Sequence, residues 1–302
     1  MTKQFYGQVC ALCRIRPSST TGEHVWPVWF LELFPESEGP YTRYVNGRAD
    51  TKRDDVTVRT QTSAERVKLP CCSECNGILD QRFERFARPI VRRLIVTDGH
   101  LTLNAKEAGT LGLWLLKTWL LLAHPAARSS VPELTPERWD LAMVPDDIYG
   151  WTVNDGPVPS GFSVWVARED RESVEKLPSR RIPLPTVVVD GRTVAFQVFR
   201  CGVRFLDVTL AYHPGWEIAH PLEVEGRAVR LWPRSGALIN FDALPPVATR
   251  DTVWMEGPTL TFDPGAFGAS PLRPLGPDWD PMSSPPPGVL FAAAPRLSSA
   301  PG

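Results

Sequence analysis

The sequence has no apolar run long enough to cross a bilayer, no repeat of fixed period and almost no net charge. Each absence excludes something. The opening residues MTKQFYGQVC have no apolar core region, so nothing there reads as a secretory signal. The most apolar run, Leu111 to Ala123, is too short to span and contains Lys117. Together these predict a soluble, cytoplasmic protein with no membrane partner. A formal net charge of -1 argues against polyanion binding over the whole surface, yet leaves room for a local basic patch. His124, His213 and His220 show no metal-ligand spacing with one another and receive no role.

What is present is a 302-residue chain, 43% hydrophobic and 22% charged, which suits one large or two modest domains with real cores. Residues 1–95 are rich in Cys, Arg and turn formers and include a long polar stretch from Pro35 to Lys68. From Asn76 onward Leu79, Phe83, Phe86 and Ile90 recur at helical spacing, and Pro89 is expected to end or kink that helix. Residues 96–149 form a helical segment, with a helix expected over Lys106 to His124. It is apolar nearly all round, so it should be buried, and Pro125 closes it.

Residues 150–268 read as an antiparallel β-rich domain of unknown task. Phe162, Val164 and Val166 alternate with Ser163 and Trp165. Asp190-Gly191 joins the strand patterns of Thr186–Val189 and Val194–Val198, a hairpin signal. Further strands are expected near Arg204 to Tyr212, Ala228 to Trp232 and Thr259 to Phe262. Residues 269–302, with Pro285-Pro286-Pro287 at the centre, read as a disordered Pro-rich tail.

Five of the six cysteines lie in the first quarter of the chain. Cys10-Ala-Leu-Cys13 and Cys72-Ser-Glu-Cys75 are CxxC pairs, and two such knuckles supply the four thiolates that tetrahedral Zn²⁺ takes. Cys71 could replace Cys72, although the two-residue gap favours Cys72. Cys201, within a strand pattern, reads as a small buried hydrophobe.

Between the knuckles lies Glu23-His24-Val25-Trp26-Pro27, and the second knuckle runs into Asn76 at the opening of a helix. Taken singly, His24 would be a structural histidine, Asn76 a helix cap, and Asp80 and Glu84 a solvated face. In this order, CxxC, then Glu-His-Val-x-Pro, then CxxC-Asn, the first 95 residues or so resemble the HNH (ββα-metal) endonuclease superfamily. The resemblance implies an α+β protein whose N-terminal finger carries structural zinc, followed by the helical segment and the β-rich domain. It also implies an enzyme that hydrolyses nucleic-acid phosphodiesters. His24 would be the general base. Glu23 and Asn76, with Asp80 one helical turn on, would hold a catalytic Mg²⁺ or Mn²⁺ through oxygen ligands. The family usually has an Asn shortly before the second knuckle, whereas Glu65–Pro70 contains none.

Basic residues cluster between Arg43 and Arg93, and Arg66, Lys68, Arg82 and Arg85 are candidates for phosphate contacts. DNA is the expected partner, with RNA as the alternative substrate. A non-catalytic zinc module that binds nucleic acid is the alternative from another class.

Overall fold

The computed structural model describes residues 5–33, 41–45, 48–49, 67–127, 146–170, 186–189, 192–195, 197–203, 205–212, 216–218, 220–233, 236, 238–248 and 272–274. Helices and antiparallel sheets share one mixed α+β architecture.

The first elements are short. Strand β1 (Glu23–His24) leads into helix α1 (Val28–Leu31). Strands β2 (Tyr41–Val45) and β3 (Arg48–Ala49) follow, and β4 (Lys68–Leu69) returns antiparallel to β1, with Glu23 opposite Leu69 and His24 opposite Lys68. Helix α2 (Ser73–Leu79) begins within the second knuckle, after Cys72, and runs through a π turn, Asp80–Glu84, into helix α3 (Arg85–Val96).

Pro89 does not end this helix, which runs on to Val96. In the π turn the Arg85 N–H donates to the Asp80 carbonyl five residues back. That widening comes one turn before Pro89.

After β5 (Thr102–Leu103), helix α4 (Ala105–Ala123) lies close to its expected bounds. Asn104 starts it with a full capping box. Its side chain accepts from the Lys106 and Glu107 N–H groups, and Glu107 accepts from the Asn104 N–H. The apolar surface of α4 is buried, as expected, but so is Lys117, at 0% exposure.

Helix α5 (Asp146–Gly150) precedes the sheet strands: β6 (Phe162–Asp170), β7 (Thr186–Val189), β8 (Arg192–Ala195), β9 (Gln197–Val203), β10 (Leu206–Tyr212), β11 (Trp216–Ile218), then helix α6 (Pro221–Val224), β12 (Ala228–Trp232), β13 (Ile239–Asn240), β14 (Val247–Ala248) and β15 (Leu272–Pro274). The main sheet has the order β12-β6-β10-β9-β2-β3, and β14 pairs with the far end of β6. Strands β7 and β8 pair with Val189 opposite Arg192, the register that a two-residue Asp-Gly link dictates. Asp190, Gly191 and the strand expected at Thr259 to Phe262 lie outside the described residues. Strand β2, from the stretch before the second knuckle, pairs with β9 of the β-rich region. Strand β15, within the tail, pairs with β11.

The period-two reading puts Ser163 and Trp165 on the face of β6 opposite Phe162, Val164 and Val166, and both faces are covered. Ser163 and Trp165 are buried as deeply as Val164 and Val166. Helix α4 packs on the sheet at β6 and β12, and Gly112 lets it come close, since a Cβ there would meet Leu231 at 3.0 Å. Trp165 meets Glu223 and His220 around α6, its indole N–H donating to Glu223 at 2.8 Å.

Candidate metal centre and adjoining Glu-His strand

The Sγ atoms of Cys10, Cys13, Cys72 and Cys75 all lie within 4.8 Å of one another. The Cys13–Cys72 edge is 4.0 Å, close to the roughly 3.8 Å edge of a tetrahedron with Zn–S near 2.3 Å. The ligand set is the one the spacing picked, with Cys72 rather than Cys71. Four sulfurs at this separation fit Zn²⁺, and among the described residues no other group of three or more His, Cys, Asp or Glu ligand atoms gathers in this way.

The local sequence explains the convergence. In the first knuckle Arg14 turns back through the left-handed region at φ 58, its N–H donating to the Cys10 carbonyl at 2.9 Å, and the Cys10 N–H donates to Arg16 at 2.8 Å. In the second, Cys72 is the extended residue that caps α2, and its sulfur accepts from the Cys75 N–H at 3.4 Å. Backbone bonds stitch the knuckles together: Ala11 N–H to the Pro70 carbonyl at 2.8 Å and Ser19 N–H to the Cys71 carbonyl at 2.9 Å. Cys71 is buried beside the cluster. Its thiol donates to the Cys72 carbonyl at 3.4 Å, and its nearness holds Cys10 well below the ordinary thiol range, at about 3, while Cys71 itself is pushed up. Thiolate character at Cys10 is what a metal ligand requires.

The same stitching fixes the Glu-His strand. The Val25 N–H donates to the Val67 carbonyl at 3.1 Å, next to the β1–β4 pairs. Gly22, at φ 65, is needed here: a Cβ would fall 2.5 Å from both the Leu69 carbonyl oxygen and the Phe5 ring. After the strand, Trp26, Trp29 and Phe30 pack around Trp114 of α4, with ring centroids 5.2 to 6.2 Å from it.

Glu23 and His24 differ in surroundings. Glu23 is buried, at 8% exposure. Burial pushes its carboxyl up to about 7. The Lys117 charge pulls it down, Glu84 pushes it further up, and weaker effects come from Lys68 and Asp80. His24 is half-buried, and burial together with the Lys68 charge holds its imidazole below its ordinary value. It is therefore neutral at pH 7 and able to accept a proton.

Asn76 does not cap the helix, because Cys72 does. Asn76 stands exposed in the first turn of α2, and the Asp80 N–H donates to its backbone carbonyl, which puts Asp80 one turn on. Asp80 is half-exposed and meets Arg88 at 3.4 Å. Glu84 is not on a solvated face: the π turn carries it inward to 6% exposure, where Lys117 donates to it at 2.7 Å and the Trp29 indole N–H at 3.1 Å. Sequence reasoning missed this pair, and the only signal was a lysine inside an otherwise apolar helix.

Among the basic candidates, Lys68 stands opposite His24. Arg85 is exposed, over the Phe86 ring. Arg82 donates to the Trp151 carbonyl at 2.8 Å and to that of Asn154, and stacks on Trp151. Its Nη1 thus pins the turn after α5 to the π turn. Arg66 lies outside the described residues, as does the side chain of Cys201.

No helix among the described residues is long and apolar enough to cross a membrane. No protein-family model matches the chain, and neither a curated protein nor a solved structure is significantly similar to it.

Proposed function

We propose that this protein is a metal-dependent endonuclease of the HNH type, acting on DNA in the cytoplasm, with zinc on Cys10, Cys13, Cys72 and Cys75 as a structural ion. The observation that carries the reading is the juxtaposition created by the knuckles. The second one is flanked by β4, which holds the Glu23–His24 strand, and by α2, which carries Asn76 and Asp80.

In this reading His24 takes the proton of the attacking water. A half-buried, neutral imidazole suits that task at physiological pH. Glu23, Asn76 and Asp80 would hold a hard cation, Mg²⁺ or Mn²⁺. Among the described residues Glu23 is a buried carboxylate with no ion-pair partner, since the one buried ammonium, Lys117, pairs with Glu84 at 2.7 Å. When bound, such a cation supplies Lewis-acid stabilisation of the phosphoryl and leaving oxygens. Lys68 and Arg85 are the remaining described cations offered to a phosphate backbone from the basic set.

The test is nicking of supercoiled plasmid with Mg²⁺ or Mn²⁺, wild type against His24→Ala, with labelled RNA in parallel. Loss of the general base should cut the rate by about 10²- to 10⁴-fold. Cleavage of RNA alone would change the substrate class. The absence of an Asn in Glu65–Pro70 favours one second reading, a zinc-stabilised module that binds nucleic acid without cutting it. Equal inertness of both proteins, each with one zinc per chain, would establish that alternative.

A further inference from the structure

Lys117 and Glu84 form a buried pair, at 0% and 6% exposure, and Glu23 of the Glu-His strand is buried as well, at 8%. Lys117 sits in the middle of α4, among leucines and tryptophans. Its ammonium donates to one oxygen of Glu84 at 2.7 Å, and the Trp29 indole donates to the other at 3.1 Å. Trp29 belongs to the helix that follows the strand, and Glu84 ends the π turn of the helix that carries Asn76 and Asp80. The network therefore ties together three pieces of chain that a site on Glu23, His24, Asn76 and Asp80 must keep in register.

A core selected for stability alone would not use these residues. Desolvating an ion pair commonly costs as much as the pair returns, and apolar replacements are often neutral or better. We infer that Lys117 and Glu84 are positioning residues: the buried pair, with the Trp29 indole on the second Glu84 oxygen, anchors the helix that follows the Glu-His strand to the π turn and to α4, and so fixes the strand on which His24 stands. The consequence for catalysis rests on the functional reading above, but the anchoring itself does not.

The test compares wild type with Lys117→Met and with Lys117→Met/Glu84→Gln in the full chain. The single variant leaves Glu84 without its ammonium and is at risk of unfolding. The double variant removes both charges of the pair and keeps the experiment decisive. In the double variant zinc should stay at one per chain. Amide exchange at Glu23, His24 and Val25 should quicken by about tenfold or more, while exchange in Leu206–Tyr212 is unchanged. The His24 imidazole resonance should shift. Plasmid nicking should fall about 100-fold in kcat with KM unchanged, as for a misplaced catalytic group. A folded double variant with wild-type exchange and an unmoved His24 resonance would overturn the inference. Altered exchange in a protein whose wild type never nicks DNA would uphold the anchoring and reject the nuclease reading.

Discussion

From Phe5 to Leu33 the described chain contains one two-residue strand and one four-residue helix, yet it holds Phe5, Val25 and Phe30 at 0% exposure. Strand β10 achieves similar burial with seven consecutive buried residues paired on both sides, to β6 and to β9. The sheet owes its order to backbone ladders and apolar burial on two faces. The knuckle region has too few ladder bonds for that, and its order depends on four sulfurs, a few backbone bonds between knuckles and a buried ion pair. A region held in this way can present exposed and half-buried polar groups, such as Asn76 and His24, that a close-packed sheet would exclude.

The largest expected effect separates the two regions outright. Cys72→Ser/Cys75→Ser should abolish zinc binding, at a cost on the order of 10 kcal/mol of metal-coupled stability. Hydrogen exchange should show lost protection at Glu23–His24 and Lys68–Leu69 with protection in β10 retained. Simultaneous loss in both would mean that the regions do not differ in what holds them. The converse variant, Leu210→Ala, removes a core side chain from β10 and should cost about 2–5 kcal/mol in denaturant unfolding, with zinc content unchanged.

Alkaline pH offers a third separation. Burial, and the nearby Asp147 charge, push the Tyr212 hydroxyl from 10.0 up to about 12. For an acid with a raised folded pKa, the stabilisation is complete below the unfolded value and is lost as pH rises through the folded one. About 3 kcal/mol should therefore disappear between pH 10 and 12, and Tyr212→Phe should remove most of that dependence in a pH-resolved unfolding series. Smaller still, Gly22→Ala should destabilise by roughly 1–3 kcal/mol, because a left-handed backbone and contacts at 2.5 Å oppose a side chain there. Its exchange signature should be confined to β1 and β4. An alanine tolerated without change would show that this strand is not held as tightly as its neighbours suggest.

The same contrast decided what could be read in the sequence. The four-cysteine cluster was legible because each pair is set by a three-residue spacing and only the meeting of two pairs was left to the fold. The helix over Ala105–Ala123 and the Thr186–Ala195 hairpin were legible for a similar reason: a run of apolar residues or an Asp-Gly is local information. Glu84 and Lys117 were not, because a charged residue is read as solvated unless its partner is known, and these partners stand 33 residues apart. The π turn added to this by rotating Glu84 off the face that Asn76 and Asp80 share. Arg82 read as a phosphate contact, but the carbonyls that occupy its Nη1 belong to Trp151 and Asn154, some 70 residues on. The burial of Ser163 and Trp165 was hidden too, since nothing in β6 announces that α4 covers one face and α6 lies at the other.

The most direct measurement is X-ray absorption at the zinc edge on the purified full-length chain. Four sulfur neighbours at about 2.3 Å, one zinc per chain, are predicted. A chain without zinc, or zinc with nitrogen or oxygen in place of any of the four sulfurs, would contradict the idea that these thiolates hold the Glu-His strand in place.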